Sequence, residues 1–129
     1  MSSKPRSLVL ENVGKATAQL ADWDGKGRGL HVDCTSLDAF LAARTEAGPD
    51  LVKIDVEGHE SEVLAGMQAT LDARRPVLVI ESHGQPGRLV NPLHDAGYSV
   101  TVLGSDVCAD DAPPFGHLLA LPPSSARPR

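Results

Sequence analysis

Aromatic residues are scarce in this 129-residue chain: one Trp, one Tyr and two Phe, 3% in all. That scarcity removes the stacking platforms on which single-stranded nucleic acids are usually held. Positive charge is also short, with 12 Lys and Arg against 17 Asp and Glu and a formal net charge of −5. Neither a nucleic-acid backbone nor an anionic membrane is an expected partner for such a surface. Cys34 and Cys108 stand far apart with no CxxC pair, so they read as reduced structural thiols rather than zinc ligands or a disulfide framework. No apolar run approaches the roughly 18 residues that span a bilayer. The apolar run near the start is broken by Glu11 and Asn12, too early for a secretory signal, and a cytoplasmic location is the expectation. The GxSxG elbow of serine hydrolases is missing, and Val63 stands where the second histidine of HExxH would be.

What is present is globular, with 41% hydrophobic and 22% charged residues. A chain of this length buries roughly two thirds of its unfolded surface as one domain. We expect that domain over residues 1–121, followed by a tail, PPSSARPR, whose composition leaves residues 122–129 disordered. Residues 7–13, 17–23 and 30–34 read as extended, and the segment DGKGRG at 24–29 suits the turn of an N-terminal β-hairpin joining the last two runs. That segment is not a phosphate-cradling loop, because it precedes a strand rather than opening a helix.

From Thr35 the pattern alternates. A helix capped by Thr35 or Ser36 runs to Arg44, and a strand follows at 51–56. Val63, Leu64, Met67 and Leu71 share one face of a helix over 60–73, and a strand follows at 77–80. A helix over 87–96 and strands at 99–103 and 117–121 complete the chain. Such alternation implies right-handed βαβ units, a mostly parallel sheet and helices on both of its faces: an α/β architecture.

Two of the strands end in reactive groups. The run LVKIDVEGHE discharges Asp55, Glu57, His59 and Glu60, and the run PVLVIESHG discharges Glu81 and His83. In open α/β sheets the ligand crevice lies outside the carboxyl ends of the strands. Glu60 is accounted for by a helix N-terminus, which stabilises carboxylates. Asp55 and Glu57 repel each other unless a proton, a cation or a substrate hydroxyl is shared between them, and close acids of this kind serve as general bases. A divalent-cation site on Asp55, Glu81 and His83 is an open alternative.

The run KIDVEGHESEVLAGM, preceded by TSLDAFLA and followed by RPVLVIESHG, resembles the FkbM-type methyltransferase family. The resemblance covers about residues 35–102. It implies a Rossmann-like seven-stranded fold, S-adenosylmethionine as cofactor and methyl transfer to a hydroxyl oxygen of a small molecule such as a sugar or polyketide. It also implies a catalytic set of Asp55, Glu57, Glu81 and His83 and assigns no metal ligand. The family's glycine-rich turn, Asp-x-Gly-x-x-x-Gly, and its strand ending in Glu-Pro have no counterpart before Thr35, so cofactor-binding residues are unassigned. The resemblance is to the C-terminal half of such a domain, a partial sheet. Two consequences are expected: a chain inactive in isolation, and an exposed apolar edge at residues 51–56 through which it self-associates. A non-catalytic interaction module of the same fold and a divalent-metal-binding α/β domain are the competing readings.

Overall fold

The computed structural model describes residues 6–11, 19–22, 30–44 and 47–123. The first three strands, β1 (Arg6–Glu11), β2 (Gln19–Asp22) and β3 (Leu30–Cys34), form an antiparallel sheet in the order β2-β1-β3. Leu10 pairs with Leu20 on one side and with Leu30 on the other. The expected hairpin between residues 17–23 and 30–34 therefore does not form, because both runs flank β1 instead. The connecting residues 23–29 reach about 23 Å when extended, ample for the roughly 10 Å between two strands that flank a third. Those residues, and residues 124–129 of the tail expected to be disordered over 122–129, lie outside the described residues.

Downstream come α1 (Leu37–Ala42), β4 (Leu51–Ile54), α2 (Glu60–Ala65), α3 (Gln68–Ala73), β5 (Val77–His83), α4 (Gly87–Asp95), β6 (Ser99–Val102) and β7 (Phe115–Leu121). Ser36 caps α1 as expected, its Oγ accepting the Ala39 N–H at 3.1 Å. The single helix expected over 60–73 is broken into α2 and α3. The break sits at Gly66, whose carbonyl accepts the Asp38 N–H at 3.1 Å. A Cβ there would lie 3.0 Å from the Ser36 Cβ, so glycine is what allows α1 to approach. The Asp38 carboxylate then restarts the helix from outside. It accepts the Ala69 and Thr70 N–H groups at 2.8 and 2.9 Å and the Thr70 hydroxyl at 2.7 Å, satisfying amides that a helix start leaves unpaired.

The second sheet has the order β4-β5-β7-β6. β4 and β5 are parallel, whereas β7 runs antiparallel to both β5 and β6. The sheet is mixed, not mostly parallel. The link from β6 to β7 holds only a 3-10 turn at Ala109–Asp111, and a link without a crossover helix returns the chain antiparallel. β4 is at the end of this sheet, with β5 as its neighbour among the described residues.

Helices on both faces were also expected, and the described residues place the core on one face. Along β5, Leu78, Ile80 and Ser82 are buried while Val77, Val79, Glu81 and His83 alternate with them half-buried. Register aligns Ile54, Leu118, Ala120 and Val100 with the buried set. Leu64, Met67, Leu71, Leu89, Val90 and Leu93 from the helices pack on it as one cluster. On the opposite face Leu51, Phe115 and Leu121 are exposed. The reason is topological: β4 to β5 to β6 advances in one direction across the sheet, so crossovers of the same hand deposit their helices on the same side.

Candidate active site

Register builds the site. Ile54 pairs with Ile80 in the parallel ladder, so the next residues, Asp55 and Glu81, stand side by side. Glu81 belongs to the half-buried face of β5 and Asp55 beside it is exposed, and His83 follows two residues after Glu81 on the same face. β5 runs to His83 rather than stopping at Ile80, because β7 continues the pairing through Glu81↔His117 and His83↔Phe115. Beyond β4 the chain turns back through Glu57 at φ 50° and Gly58 at φ 100°. The left-handed region is easy for glycine and costs a glutamate of order 1 kcal/mol. That turn sets Glu60 at the first position of α2 with its side chain only 5% exposed.

The buried Glu60 carboxylate is the hub. Its Oε1 accepts the Gly58 N–H at 2.9 Å and lies 2.8 Å from the Nδ1 of His83. The other ring nitrogen, Nε2, is 3.5 Å from Glu57 Oε2 and 3.8 Å from Glu81 Oε1. Glu81 Oε2 in turn is 3.3 Å from Nε2 of His117 on β7. Asp55 is tied elsewhere: its Oδ2 accepts from the Lys53 ammonium at 2.7 Å. The structure thus brings together all four sequence candidates, Asp55, Glu57, Glu81 and His83. It adds Lys53, Glu60 and His117, which the sequence places on a strand, at a helix start and on the last strand. His59 occupies the N-cap position of α2 without a capping bond, and its Nδ1 is buried with no partner among the described residues.

The charges sort the acids. The Lys53 hydrogen bond holds the Asp55 carboxyl below the usual carboxylate range, which leaves it a weak proton acceptor. Burial works against the charged form of His83, but the Glu60 hydrogen bond and the charges of Glu60, Glu57 and Glu81 outweigh it and raise the His83 pKa above its ordinary value. One ligand atom from each of Asp55, Glu81 and His83 lies within 4.8 Å of the others, a spread wide enough to admit a divalent cation.

A cavity of about 250 Å³ opens beside this rim, with Glu60, Ser61, Ser82, His83, Gln85 and Arg88 among its lining residues. Its lining is predominantly polar. Pockets for drug-sized ligands run from roughly 300 to 1,000 Å³, so this one suits a small polar molecule or one unit of a larger one. It does not fit S-adenosylmethionine, which carries a nucleoside and an amino acid, and no described turn offers the glycine-rich cradle that cofactor would need. No described helix is long and apolar enough to cross a membrane, and both cysteines are free thiols.

A family model, the methyltransferase FkbM domain, matches residues 4–100. The match reaches across β1, β2 and β3, well upstream of the segment that carries the recognisable motif. Comparison with curated proteins and with solved structures found no match.

Proposed function

Since this chain belongs to the FkbM methyltransferase domain family, we propose that it serves methyl transfer to the hydroxyl oxygen of a polar small molecule, supplying the residues that receive and deprotonate the acceptor. The observation that carries this reading is the convergence of Asp55, Glu57, Glu81 and His83 at the carboxyl rim of two adjacent parallel strands. Transfer to oxygen requires a group to take the hydroxyl proton, and positioning supplies much of the remaining rate. The polar cavity favours a sugar-like acceptor over an apolar polyketide face, since Ser61, Ser82, Gln85 and Arg88 match hydroxyl groups rather than hydrocarbon.

The family generally uses S-adenosylmethionine. Because the cavity beside the rim is smaller than that molecule, the chain by itself is proposed to be inactive. Calorimetric titration of the purified chain with S-adenosylmethionine tests this: no saturable heat is expected at millimolar ligand, and micromolar binding would refute it. The same misfit favours a second reading, a non-catalytic interaction module of the same fold. Release of S-adenosylhomocysteine in the presence of hydroxylated acceptors would eliminate the module.

A further inference from the structure

The four sequence candidates leave open which group takes the proton, and the geometry points to His83, with Glu60 as its positioning residue: the buried carboxylate at the start of α2 fixes the ring so that Nε2 is the free, proton-accepting atom. This inference rests on the hydroxyl-acceptor reading above and goes beyond it by assigning the base, its reactive atom and the residue that orients it.

The argument is one of donors and acceptors. An ionised carboxylate only accepts hydrogen bonds. Glu60 Oε1 already takes the Gly58 N–H at 2.9 Å, and it meets His83 Nδ1 at 2.8 Å. Nδ1 must therefore carry the proton, and in the neutral ring the lone pair belongs to Nε2. The ring rides on β5, which is paired on both sides by β4 and β7, so its backbone has little freedom. Nε2 then opens onto the rim, 3.5 Å from Glu57 and 3.8 Å from Glu81, distances too long for good hydrogen bonds. A hydroxyl group in the adjoining cavity, which His83 lines, can approach that nitrogen.

The proton transfer balances. The acceptor O–H bond breaks and an Nε2–H bond forms. The electron pair stays on oxygen, and the imidazolium charge is matched by Glu60 across the Nδ1–H bond. Other charged and titratable groups face the ring from neighbouring elements. Glu57 in the turn, Glu81 on β5 and Asp55 beyond β4 all favour the protonated product. Arg88 on α4 lines the same cavity and opposes it. His117 pairs with Glu81, itself 3.8 Å from the ring.

The alternatives do less well. Asp55 is neutralised by Lys53, Glu81 is shared with His117, and Glu57 sits on a strained turn rather than a strand.

The test uses the whole chain and needs no substrate. Long-range proton–nitrogen NMR of the imidazoles reports tautomer and titration midpoint together. In the wild type, neutral His83 should be the Nδ1–H tautomer and should titrate above the ordinary imidazole range. Glu60→Gln keeps an acceptor oxygen but loses the charge, so the tautomer should persist while the midpoint falls. Glu60→Met loses both, so the Nε2–H tautomer should appear. A purely structural Glu60 would leave the His83 midpoint of a folded Glu60→Gln protein unmoved, which would overturn the assignment. An Nε2–H tautomer in the wild type would overturn it even if neither variant folds. Because the readout is spectroscopic, failure here is distinguishable from failure of the methyl-transfer reading, which the cofactor titration and product release address.

Discussion

Replacing Asp38 with alanine tests how the helical layer is held together. One carboxylate, 31 and 32 residues away in sequence from its partners, accepts the Ala69 N–H, the Thr70 N–H and the Thr70 hydroxyl, all within 2.9 Å. α3 has no side-chain cap of its own at Met67, so Asp38 does that work from α1. Losing an N-terminal cap costs about 0.5–2 kcal/mol. Thr70 is only 5% exposed, so its freed donors cannot simply turn to water, and each unsatisfied buried group costs about 1–3 kcal/mol. Partial relaxation brings the expected destabilisation to about 2–4 kcal/mol, a large share of a typical stability of about 5–15 kcal/mol. At about 4 °C per kcal/mol for a domain of this size, the thermal midpoint should drop by about 8–16 °C. Asp38→Asn, which keeps one acceptor oxygen, should lose less. A double-mutant cycle with Thr70→Val isolates the hydroxyl bond, with a coupling of about 1 kcal/mol expected. An Asp38→Ala protein within about 0.5 kcal/mol of the wild type would refute the clamp, since that is the range of an ordinary surface substitution.

Four further outcomes follow from the geometry. Tyr98 is buried, its hydroxyl has no partner among the described residues and its pKa is pushed up to about 12 by that burial; Tyr98→Phe should therefore raise stability by about 1 kcal/mol in denaturant unfolding, and a comparable loss would reveal a hidden hydrogen bond. His83 has a folded pKa above its unfolded value, so the stability it gains from Glu60 is fully present below about pH 6.5 and fades as pH rises through the folded pKa; the gap in denaturant midpoint between wild type and Glu60→Gln should be widest near pH 6 and narrow as pH rises through that folded pKa, and a gap that widens with pH would contradict this. Thermal scans with Mg²⁺ or Mn²⁺ should show no stabilisation, because Lys53 already holds Asp55; a rise abolished by Asp55→Ala would hand the trio of Asp55, Glu81 and His83 to a cation instead. Light scattering should show mass rising with concentration, since β4 ends its sheet and Leu51 is 63% exposed, and a monomer at high concentration would count against association there.

Much of the second half was legible because its signals are local. The Ser36 cap and the apolar runs of β4 to β6 each declare themselves within a few residues, and the strand-end acids converge because parallel register follows from one crossover. What escaped is non-local. Nothing near Gly66 announces that α1 passes within contact distance, so the broken helix was unreadable. β1 taking the central place of its sheet depends on pairing across two seven-residue links, which hydrophobic alternation does not encode. The one-sided core follows from the direction of strand progression, a property of the whole sheet. Glu60 stands at a helix start as expected, but its contact with His83 is non-local too. A glutamate at a helix start has a sufficient local explanation, and only the path of β5, prolonged by its pairing with β7, reveals the imidazole waiting above it. A glutamate that is buried rather than solvated would have been the clue, and burial is not visible in a single chain of letters.

The division of labour between β5 and α4 carries an implication for how this rim can change. His83 belongs to an interior strand, whereas Gln85, Arg88 and Leu89, which wall the cavity, stand on the turn and helix that follow it. Substitutions in that wall would reshape what enters without disturbing the imidazole or its anchoring carboxylate, so recognition can drift across generations while the reactive nitrogen stays put.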